Sequence, residues 1–322
     1  MRIAMIGQKG MPAHFGGVER HVHDLSEKLV ERGFDVTVYA RDWYTDISIK
    51  NYNGVNIKHV KTLKTKHFDT IVHTFFSTID AMRSDIDVMH YHGVGPALLS
   101  WLPRIFSPQK KVITTFHSMD RKHKKWSFLP RVILLVGEWA ACTFAHKTIA
   151  VSKIIQEYAK EVYDTSIDYI PNAVNTVSEK ADETLLKKWK LKKHKYIICV
   201  SRLIPVKGVQ YLIDAWIKIE PFRPKDMKLV IVGEGHYSDK YAQSLYKKAK
   251  GHKSIVFTGF QSDKSLHALF TYAFMQVNPS DHEGLPIAVL EGMNYGLPVL
   301  VSDISAHRIL IHNYNFLPFV IF

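Results

Sequence analysis

The chain has 322 residues, a length that favours two domains over one. Hydrophobic residues make up 46% and charged residues 23%, which are the proportions of an ordinary folded, soluble protein. The two cysteines, Cys142 and Cys199, lie in apolar runs, so no disulfide framework is implied and a reducing compartment is favoured. The formal net charge of +13 indicates an anionic partner, such as nucleic acid, a membrane surface or an acidic substrate.

No signal peptide is predicted at the start of the chain, because Met1 and Arg2 lead directly into an apolar strand. The longest apolar stretch, from Val132 to Phe144, is interrupted by Glu138 and is too short to span a bilayer. These features predict a cytoplasmic protein, with a peripheral position at the inner face of a membrane as the option to test.

Basic residues cluster at 121–126 and at 187–193. The second cluster is interpreted as an ordinary solvated face. The first follows a strand expected to carry active-site residues, and Trp126 adds an aromatic anchor beside its cations. An anionic membrane surface is therefore the partner considered for it, and nucleic acid is not predicted.

Strands and helices alternate along the first half of the chain, beginning with a strand at 2–6 and a helix at about 18–32. Further strands are predicted at 36–40, 55–60, 88–91, 112–116, 148–151 and 167–170, and helices near 68–81, 97–105, 131–144 and 154–162. This alternation predicts a mostly parallel, doubly wound sheet.

The pattern is interrupted from Pro171 to Asn175, and a second alternation starts at residues 196–200. The fold class predicted is α/β, with two Rossmann-like doubly wound parallel-sheet domains facing across a cleft. Their bounds are 1–171 for the first domain, 172–195 for the linker and 196–322 for the second domain. Ligands are expected in the cleft, at the C-terminal ends of the strands.

The loop after the first strand contains Gly7, Gly10, Gly16 and Gly17. Its spacing is too long for the tight turn of a dinucleotide-binding fingerprint. The pair at the helix start permits close backbone approach to a phosphate or a sugar. An ordinary flexible turn is the alternative.

His117 directly follows the predicted strand at 112–116, so it is expected at the cleft, with Asp120 three residues later. A structural histidine satisfied by its neighbours is the alternative. His90 and His92 lie on one face of a neighbouring strand end, but no third ligand is spaced for a metal site. No metal is therefore assigned.

Arg202 and Lys207 lie between the strand at 196–200 and the next helix. An arginine fork and a lysine point charge both suit phosphate oxygens, and together they can stabilise a leaving diphosphate. Surface charge is the alternative interpretation. A lysine near a helix N-terminus opposes the helix dipole, which favours a ligand as the reason for it.

Glu283 and Glu291 flank the start of a helix whose first turn is predicted to hold Pro286 and which ends at Gly296. A helix start offers free N–H groups and a partial positive charge, which suit a phosphate. The two carboxylates can accept hydrogen bonds from sugar and ribose hydroxyls. Two solvated glutamates on an amphipathic helix are the alternative.

The block from Pro279 to Asp303 resembles the signature of retaining glycosyltransferases of family 4, two-domain enzymes that use nucleotide sugars. The resemblance extends to about Arg308, and residues 17–21 and 91–96 are similar to the bacterial rhamnosyltransferase-like branch of surface-polysaccharide synthesis. It implies transfer of a hexosyl group from a nucleotide-diphosphate sugar to a glycan or lipid-linked acceptor, with retention of configuration by a front-face route. It also implies that no cofactor and no metal are required.

The resemblance assigns a role to each candidate residue. Catalytic contacts to the donor sugar are implied for His117 and Glu283. The donor diphosphate is assigned to Gly16, Gly17, Arg202, Lys207 and Leu285. The nucleotide and its ribose are assigned to Glu291, Gly233 and Gly259. Asn172 is assigned to the hinge and Asp120 to the acceptor, which the first domain is expected to bind while the second binds the nucleotide sugar.

Some features depart from the family pattern. Ser118 follows His117 where glycine is usual, and Ala173 stands where the family has glycine after Asn172. In the family, further helices follow the one after Asp303, and these are expected to be missing here, so the second domain is expected to be shortened, with the apolar tail at 316–322 folding back on it. A catalytically impaired nucleotide-sugar-binding protein and a nucleotide-sugar epimerase are therefore kept as alternative functions.

Overall fold

The computed structural model describes residues 1–322 except 15, 63–68, 120–127, 176–179, 236–238, 315–318 and 322. The chain separates into two compact units, Met1–Asn172 and Ala173–Phe322, and each unit has its own sheet.

The sheet of the first unit is built mainly from short, apolar strands. These are β1 (Arg2–Ile6), β2 (Asp35–Arg41), β3 (Asn51–Tyr52), β4 (Val55–Val60), β5 (Val88–His92), β6 (Lys111–Phe116), β7 (Lys147–Ala150) and β8 (Asp168–Tyr169). Their order is β3-β4-β2-β1-β5-β6-β7-β8, and only β3 with β4 is antiparallel. Central strands such as β1 are buried on both faces, which explains their continuous apolar sequences.

Helices connect these strands. They are α1 (Gly17–Glu31), α2 (Asp69–Arg83), α3 (Val94–Ala97), α4 (Trp101–Phe106), α5 (Phe128–Phe144) and α6 (Lys153–Tyr163). The predicted apolar face of α1 does pack on the sheet, since Val22, Leu25 and Leu29 contact a core that includes Ile3 and Met5. That packing fixes the start of α1 beside the carboxyl end of β1.

The sheet of the second unit is parallel throughout. Its strands are β9 (Tyr196–Val200), β10 (Lys228–Val232), β11 (Ile255–Gly259), β12 (Met275–Asn278), β13 (Val299–Val301) and β14 (Phe319–Ile321), in the order β11-β10-β9-β12-β13-β14. Its helices are α7 (Val209–Lys218), α8 (Asp239–Ala249), α9 (Asp263–Thr271), α10 (Ile287–Asn294) and α11 (Ser305–Tyr314). The fold class, α/β with two Rossmann-like parallel sheets, is confirmed.

Two stretches outside the strands and helices predicted from the sequence contribute to this second unit. Within the segment predicted as linker, a short 3-10 helix at Glu183–Trp189 packs on the sheet, and Leu186 and Leu191 join the core around Ile198. In the apolar tail, β14 pairs in parallel with β13, as the expected folding back of the tail requires. Among the described residues, no helix is both long and apolar enough to cross a membrane.

Candidate active site

Two loops of the second unit meet at the carboxyl ends of β9 and β12. Gly208, in the loop after β9, has a φ of +67°, and a Cβ on it would lie 1.9 Å from the carbonyl oxygen of Pro279. Only glycine tolerates that close approach. The N–H of Asp281 then donates to the carbonyl of Val206 at 2.9 Å, so the two loops are held together by backbone contacts.

Lys207 and Glu283 form an ion pair where these loops meet. The Nζ atom of Lys207 lies 2.5 Å from Oε1 of Glu283, and the hydroxyl of Ser280 donates to the same oxygen at 2.7 Å. The two charged side chains are only 17% and 9% exposed. Because little water screens them, their attraction exceeds that of a surface ion pair.

Opposing influences set the pKa of the Glu283 carboxyl. Burial disfavours the charged form and would raise the pKa. The charge of Lys207, hydrogen bonds from Lys207 and Ser280, and nearby His307 lower it, and the net pKa lies below the ordinary 4.5. Glu283 is therefore ionised at neutral pH and can accept hydrogen bonds from the hydroxyls of a sugar.

His307 is a residue of this site that the sequence did not indicate. It is fully buried in α11, and its Nδ1 lies 2.8 Å from the carbonyl oxygen of Ser302. Burial lowers the pKa of His307, while Glu283 raises it and Lys207 lowers it. A neutral imidazole donates from Nδ1 to that carbonyl, and Nε2 is buried with no hydrogen-bond partner in the part of the chain that the structure describes. A single histidine after a strand forms no motif, so only its place after β13 could have drawn attention.

Glu291 lies within helix α10, which follows the loop that holds Glu283. Pro286, predicted in the first turn, is instead the N-cap residue. A Cβ on Gly292 would lie 1.7 Å from the side-chain oxygen of Gln276, whose amide nitrogen donates to the carbonyl of Ala288 at 2.8 Å. The helix therefore lies close on β12, and Glu291 is half-buried at its fifth position.

Arg202 and Leu285 were both assigned to the donor diphosphate, but their environments differ. Arg202 is exposed directly after β9, and within the described part of the chain its guanidinium makes no hydrogen bond or ion pair. Leu285 is only 6% exposed, so its backbone is the group that it can offer to a ligand.

Gly233 and Gly259 lie side by side at the carboxyl ends of β10 and β11. The N–H of Gly233 donates to the carbonyl of Gly259 at 2.9 Å, and their φ angles are +134° and +70°. A Cβ on Gly233 would lie 1.9 Å from the carbonyl oxygen of Ser201. Chain packing thus accounts for glycine here, and the nucleotide-binding role stays a prediction.

A carboxylate of the chain itself lies at the start of α1. Gly16 has a φ of +108°, and a Cβ there would lie 1.9 Å from the carboxylate of Glu19, which is 6% exposed. The backbone N–H of Lys9 donates to Glu19 at 3.3 Å, and its Nζ lies 3.4 Å away. A second anion beside Glu19 would be repelled, so the role of Gly16 and Gly17 in binding the diphosphate stays a prediction, while a sugar hydroxyl suits this carboxylate.

Three histidines converge in the first unit. His92 ends β5, His117 follows β6, and His21 comes from α1. The Nδ1 atom of His92 lies 3.3 Å from Nε2 of His117. The ring centroid of His21 lies 4.9 Å from that of His117 and 5.7 Å from that of His92, and the centroids of His90 and His92 are 4.1 Å apart. The predicted catalytic His117 thus belongs to a cluster.

Burial lowers the pKa of all four imidazoles. It brings that of His21 to about 4 and that of His90 to about 3, and it holds those of His92 and His117 well below the ordinary range. The neighbouring imidazoles add to the effect for His90, His92 and His117. At neutral pH the cluster is uncharged, so His117 can offer a hydrogen bond but no positive charge.

The remaining predicted residues are placed as follows. Asn172, assigned to the hinge, is the last residue of the first unit, and it is buried and hydrogen-bonded to the side chain of His21. Asp120 and the basic cluster at 121–126 lie outside the described residues. Lys207 and Glu283 are in contact, and so are Gly233 and Gly259.

Two family models match the chain. The model for Glycosyltransferase Family 4 matches residues 15–178, and the model for Glycosyl transferases group 1 matches residues 181–317. The chain belongs to glycosyltransferase family 4. It is therefore a transferase of the nucleotide-sugar-dependent kind.

Individual relatives agree with this membership. An uncharacterized glycosyltransferase of Methanocaldococcus jannaschii is 28% identical over 340 residues, which span 98% of this chain and 84% of the relative. The phosphatidyl-myo-inositol mannosyltransferase of Mycobacterium leprae is 28% identical over 321 residues, spanning 96% and 80%.

Solved structures agree in fold. Anabaena HepE, in complex with UDP and glucose, gives a TM-score of 0.76 at 18% identity, covering 96% of this chain and 83% of that one. WaaG, a glycosyltransferase involved in lipopolysaccharide biosynthesis, gives a TM-score of 0.76 at 17% identity, covering 99% and 86%. Both support an architecture of two Rossmann-like parallel-sheet domains, which is called GT-B in glycosyltransferases.

Proposed function

We propose that this chain transfers a hexosyl group from a nucleotide-diphosphate sugar to a glycan or lipid-linked acceptor, with retention of anomeric configuration. The observation that carries the proposal is the pair of Lys207 and Glu283 beside the start of α10. It places a cation, a carboxylate and free helix N–H groups together, which are the groups that a sugar diphosphate requires.

The leaving diphosphate gains negative charge as the glycosidic bond breaks. Lys207 and the exposed Arg202 lie in one loop and supply two cations for it. Glu283 is already bonded to Lys207 and Ser280, which suits hydrogen bonding to sugar hydroxyls better than nucleophilic attack. Retention by a front-face route, with the departing phosphate helping to deprotonate the acceptor, follows from the family resemblance.

The same charges support a reaction that needs no metal. Two cations and a helix N-terminus can neutralise a diphosphate, which is the task of a divalent ion in metal-dependent transferases. We therefore expect that chelation of divalent ions does not lower the rate of transfer.

A lipid-linked acceptor is supported by one surface of the first unit. Helix α5 exposes Phe128, Val132, Ile133, Leu135, Val136 and Trp139. Exposed apolar side chains grouped on one helix are typical of a membrane-contact surface, and the net charge of +13 favours an anionic bilayer. A relative in Escherichia coli is named as a galactosyltransferase acting on a diphosphoundecaprenol-linked sugar.

The activity is tested by incubating the protein with UDP-, GDP-, ADP- and dTDP-sugars, including dTDP-rhamnose, and acceptor lipids, while nucleotide diphosphate release is measured. We expect release with one donor, and a loss of about 10²–10³-fold in kcat for His117→Ala. NMR of the product fixes the anomeric configuration. Binding without turnover by any donor would favour the impaired-enzyme alternative, and epimerised sugar formed without acceptor would favour the epimerase.

The membrane surface has its own test. The protein should sediment with vesicles of phosphatidylcholine and phosphatidylglycerol, and Val132→Asp with Val136→Asp should abolish this, because the two positions lie one turn apart on the exposed face. Phe222→Asp is the matched control, since Phe222 is an apolar side chain 87% exposed in the second unit. Equal sedimentation of all three folded proteins would contradict the assignment of α5.

A further inference from the structure

The histidine cluster of the first unit has the composition of a metal site. One ring nitrogen from each of His21, His92 and His117 lies within 4.8 Å of the other two. The spacing in the sequence did not indicate this set, because its three histidines come from α1, from β5 and from the end of β6. We propose that His21, His92 and His117 bind a transition-metal ion of the zinc class, with water in the fourth position.

The separation of two nitrogens fits a shared metal better than a direct hydrogen bond. Nδ1 of His92 and Nε2 of His117 are 3.3 Å apart. Tetrahedral zinc with Zn–N bonds of about 2.0–2.1 Å places its nitrogen ligands about 3.3–3.4 Å from one another. Hydrogen bonds donated by N–H usually span about 2.7–3.2 Å.

The surroundings of Nε2 determine which of the two ring nitrogens of His92 carries the lone pair. Nε2 of His92 lies 3.3 Å from the sulfur of Met5, and a thioether can accept a hydrogen bond but cannot donate one. The N–H of His92 is therefore directed at Met5, and the lone pair of Nδ1 faces His117.

His21 supplies the third nitrogen. Its Nε2 is buried and has no hydrogen-bond partner among the described residues, which is costly for a polar atom unless something occupies the site. The hydrogen bond with Asn172 then falls to Nδ1. Metal-binding histidines usually donate their other ring N–H to an acceptor that orients them, so the proposal requires Nδ1–H of His21 to donate to the amide oxygen of Asn172.

A second group of potential metal ligands in the same unit differs from the histidine cluster. His23, Asp24 and Glu27 also lie close together. However, Nδ1 of His23 accepts from the N–H of Ala13 at 3.1 Å, and Nε2 lies 3.1 Å from Glu27. Both nitrogens of that histidine are used by the fold, so His23 serves as the control.

The test uses Co²⁺ as a spectroscopic probe for zinc, added to the 322-residue chain. We expect micromolar or tighter binding with the strong visible absorption of tetrahedral Co²⁺, which Zn²⁺ then displaces. His21→Gln should weaken binding at least about tenfold, since even loss of a supporting hydrogen bond costs 10–100-fold, whereas His23→Gln should bind as the wild type does. Thermal unfolding checks that both variants are folded.

X-ray absorption at the zinc edge of the wild-type protein tests the ligands without any variant. Three imidazole nitrogens and one oxygen are expected. Absence of tight binding, unchanged binding by His21→Gln, or loss of binding by His23→Gln would each overturn the site.

An effect on turnover rests on the proposed function, because it requires His117 to contact the donor. A metal on His117 should then inhibit transfer, and a chelator should relieve the inhibition. Metal binding without inhibition would leave the site in place and contradict the catalytic role of His117.

Discussion

Replacing Lys207 with alanine should destabilise the second unit by about 3–5 kcal/mol at neutral pH. Lys207 is the cationic partner of Glu283, whose side chain is only 9% exposed. Removing one member of such a pair leaves an uncompensated charge out of water, which costs more than the pair contributes. Chemical unfolding of the two proteins, followed by fluorescence, measures the difference.

The pH dependence of that difference should identify its cause. In the wild type, the pKa of Glu283 is below the ordinary 4.5. Its ionised form therefore contributes stability above pH 4.5, and this is lost as the pH falls through the folded-state pKa. Without Lys207, burial should raise the folded-state pKa above 4.5, so the buried charge opposes folding at neutral pH and acidification relieves it. The difference in free energy of unfolding between the two proteins should therefore become smaller as the pH falls.

A double variant provides the control. Lys207→Met with Glu283→Gln keeps side chains of similar size and removes both charges, so most of the stability lost in Lys207→Ala should return. A loss below about 1 kcal/mol in Lys207→Ala, or a gap that does not change with pH, would contradict the interpretation of a buried pair.

The alternation of strands and helices was predictable because it depends on local apolar patterning. The buried face of α1, formed by Val22, Leu25 and Leu29, follows from helical spacing alone. For the pairing of β14 with β13, the sequence indicated only that the apolar residues of the tail had to be covered. Its register depends on hydrogen bonds between segments about 20 residues apart, which no local pattern specifies.

In the candidate site, too, the features that depend on local sequence were predictable and those that depend on long-range contacts were not. Lys207 and Glu283 were each indicated by their place near the start of a helix, but their contact joins residues 76 positions apart. The cluster of His21, His92 and His117 arises because β5 and β6 are neighbours and α1 starts beside them. His307 had no pattern of its own, since a buried histidine is recognised by its surroundings and not by its spacing.

Arg202→Ala should separate catalysis from stability, because Arg202 is exposed and makes no side-chain hydrogen bond or ion pair within the described residues. Surface substitutions of this kind usually change the free energy of unfolding by less than about 0.5 kcal/mol. If its guanidinium holds the leaving diphosphate, its loss should lower kcat by about 10²–10³-fold, the range for removing one preorganised transition-state contact. Arg202→Lys should recover only part of this, because lysine keeps the charge but not the two-pronged geometry.

The measurement for Arg202 is kcat and KM with the preferred donor, together with unfolding curves. Lys218→Ala serves as the matched control, since it removes a cation from the last turn of α7, at the opposite end of that helix from the loop. An Arg202→Ala protein that turns over like the Lys218→Ala protein would show that Arg202 is only a surface charge. The diphosphate would then have to be held by Lys207 and the start of α10 alone.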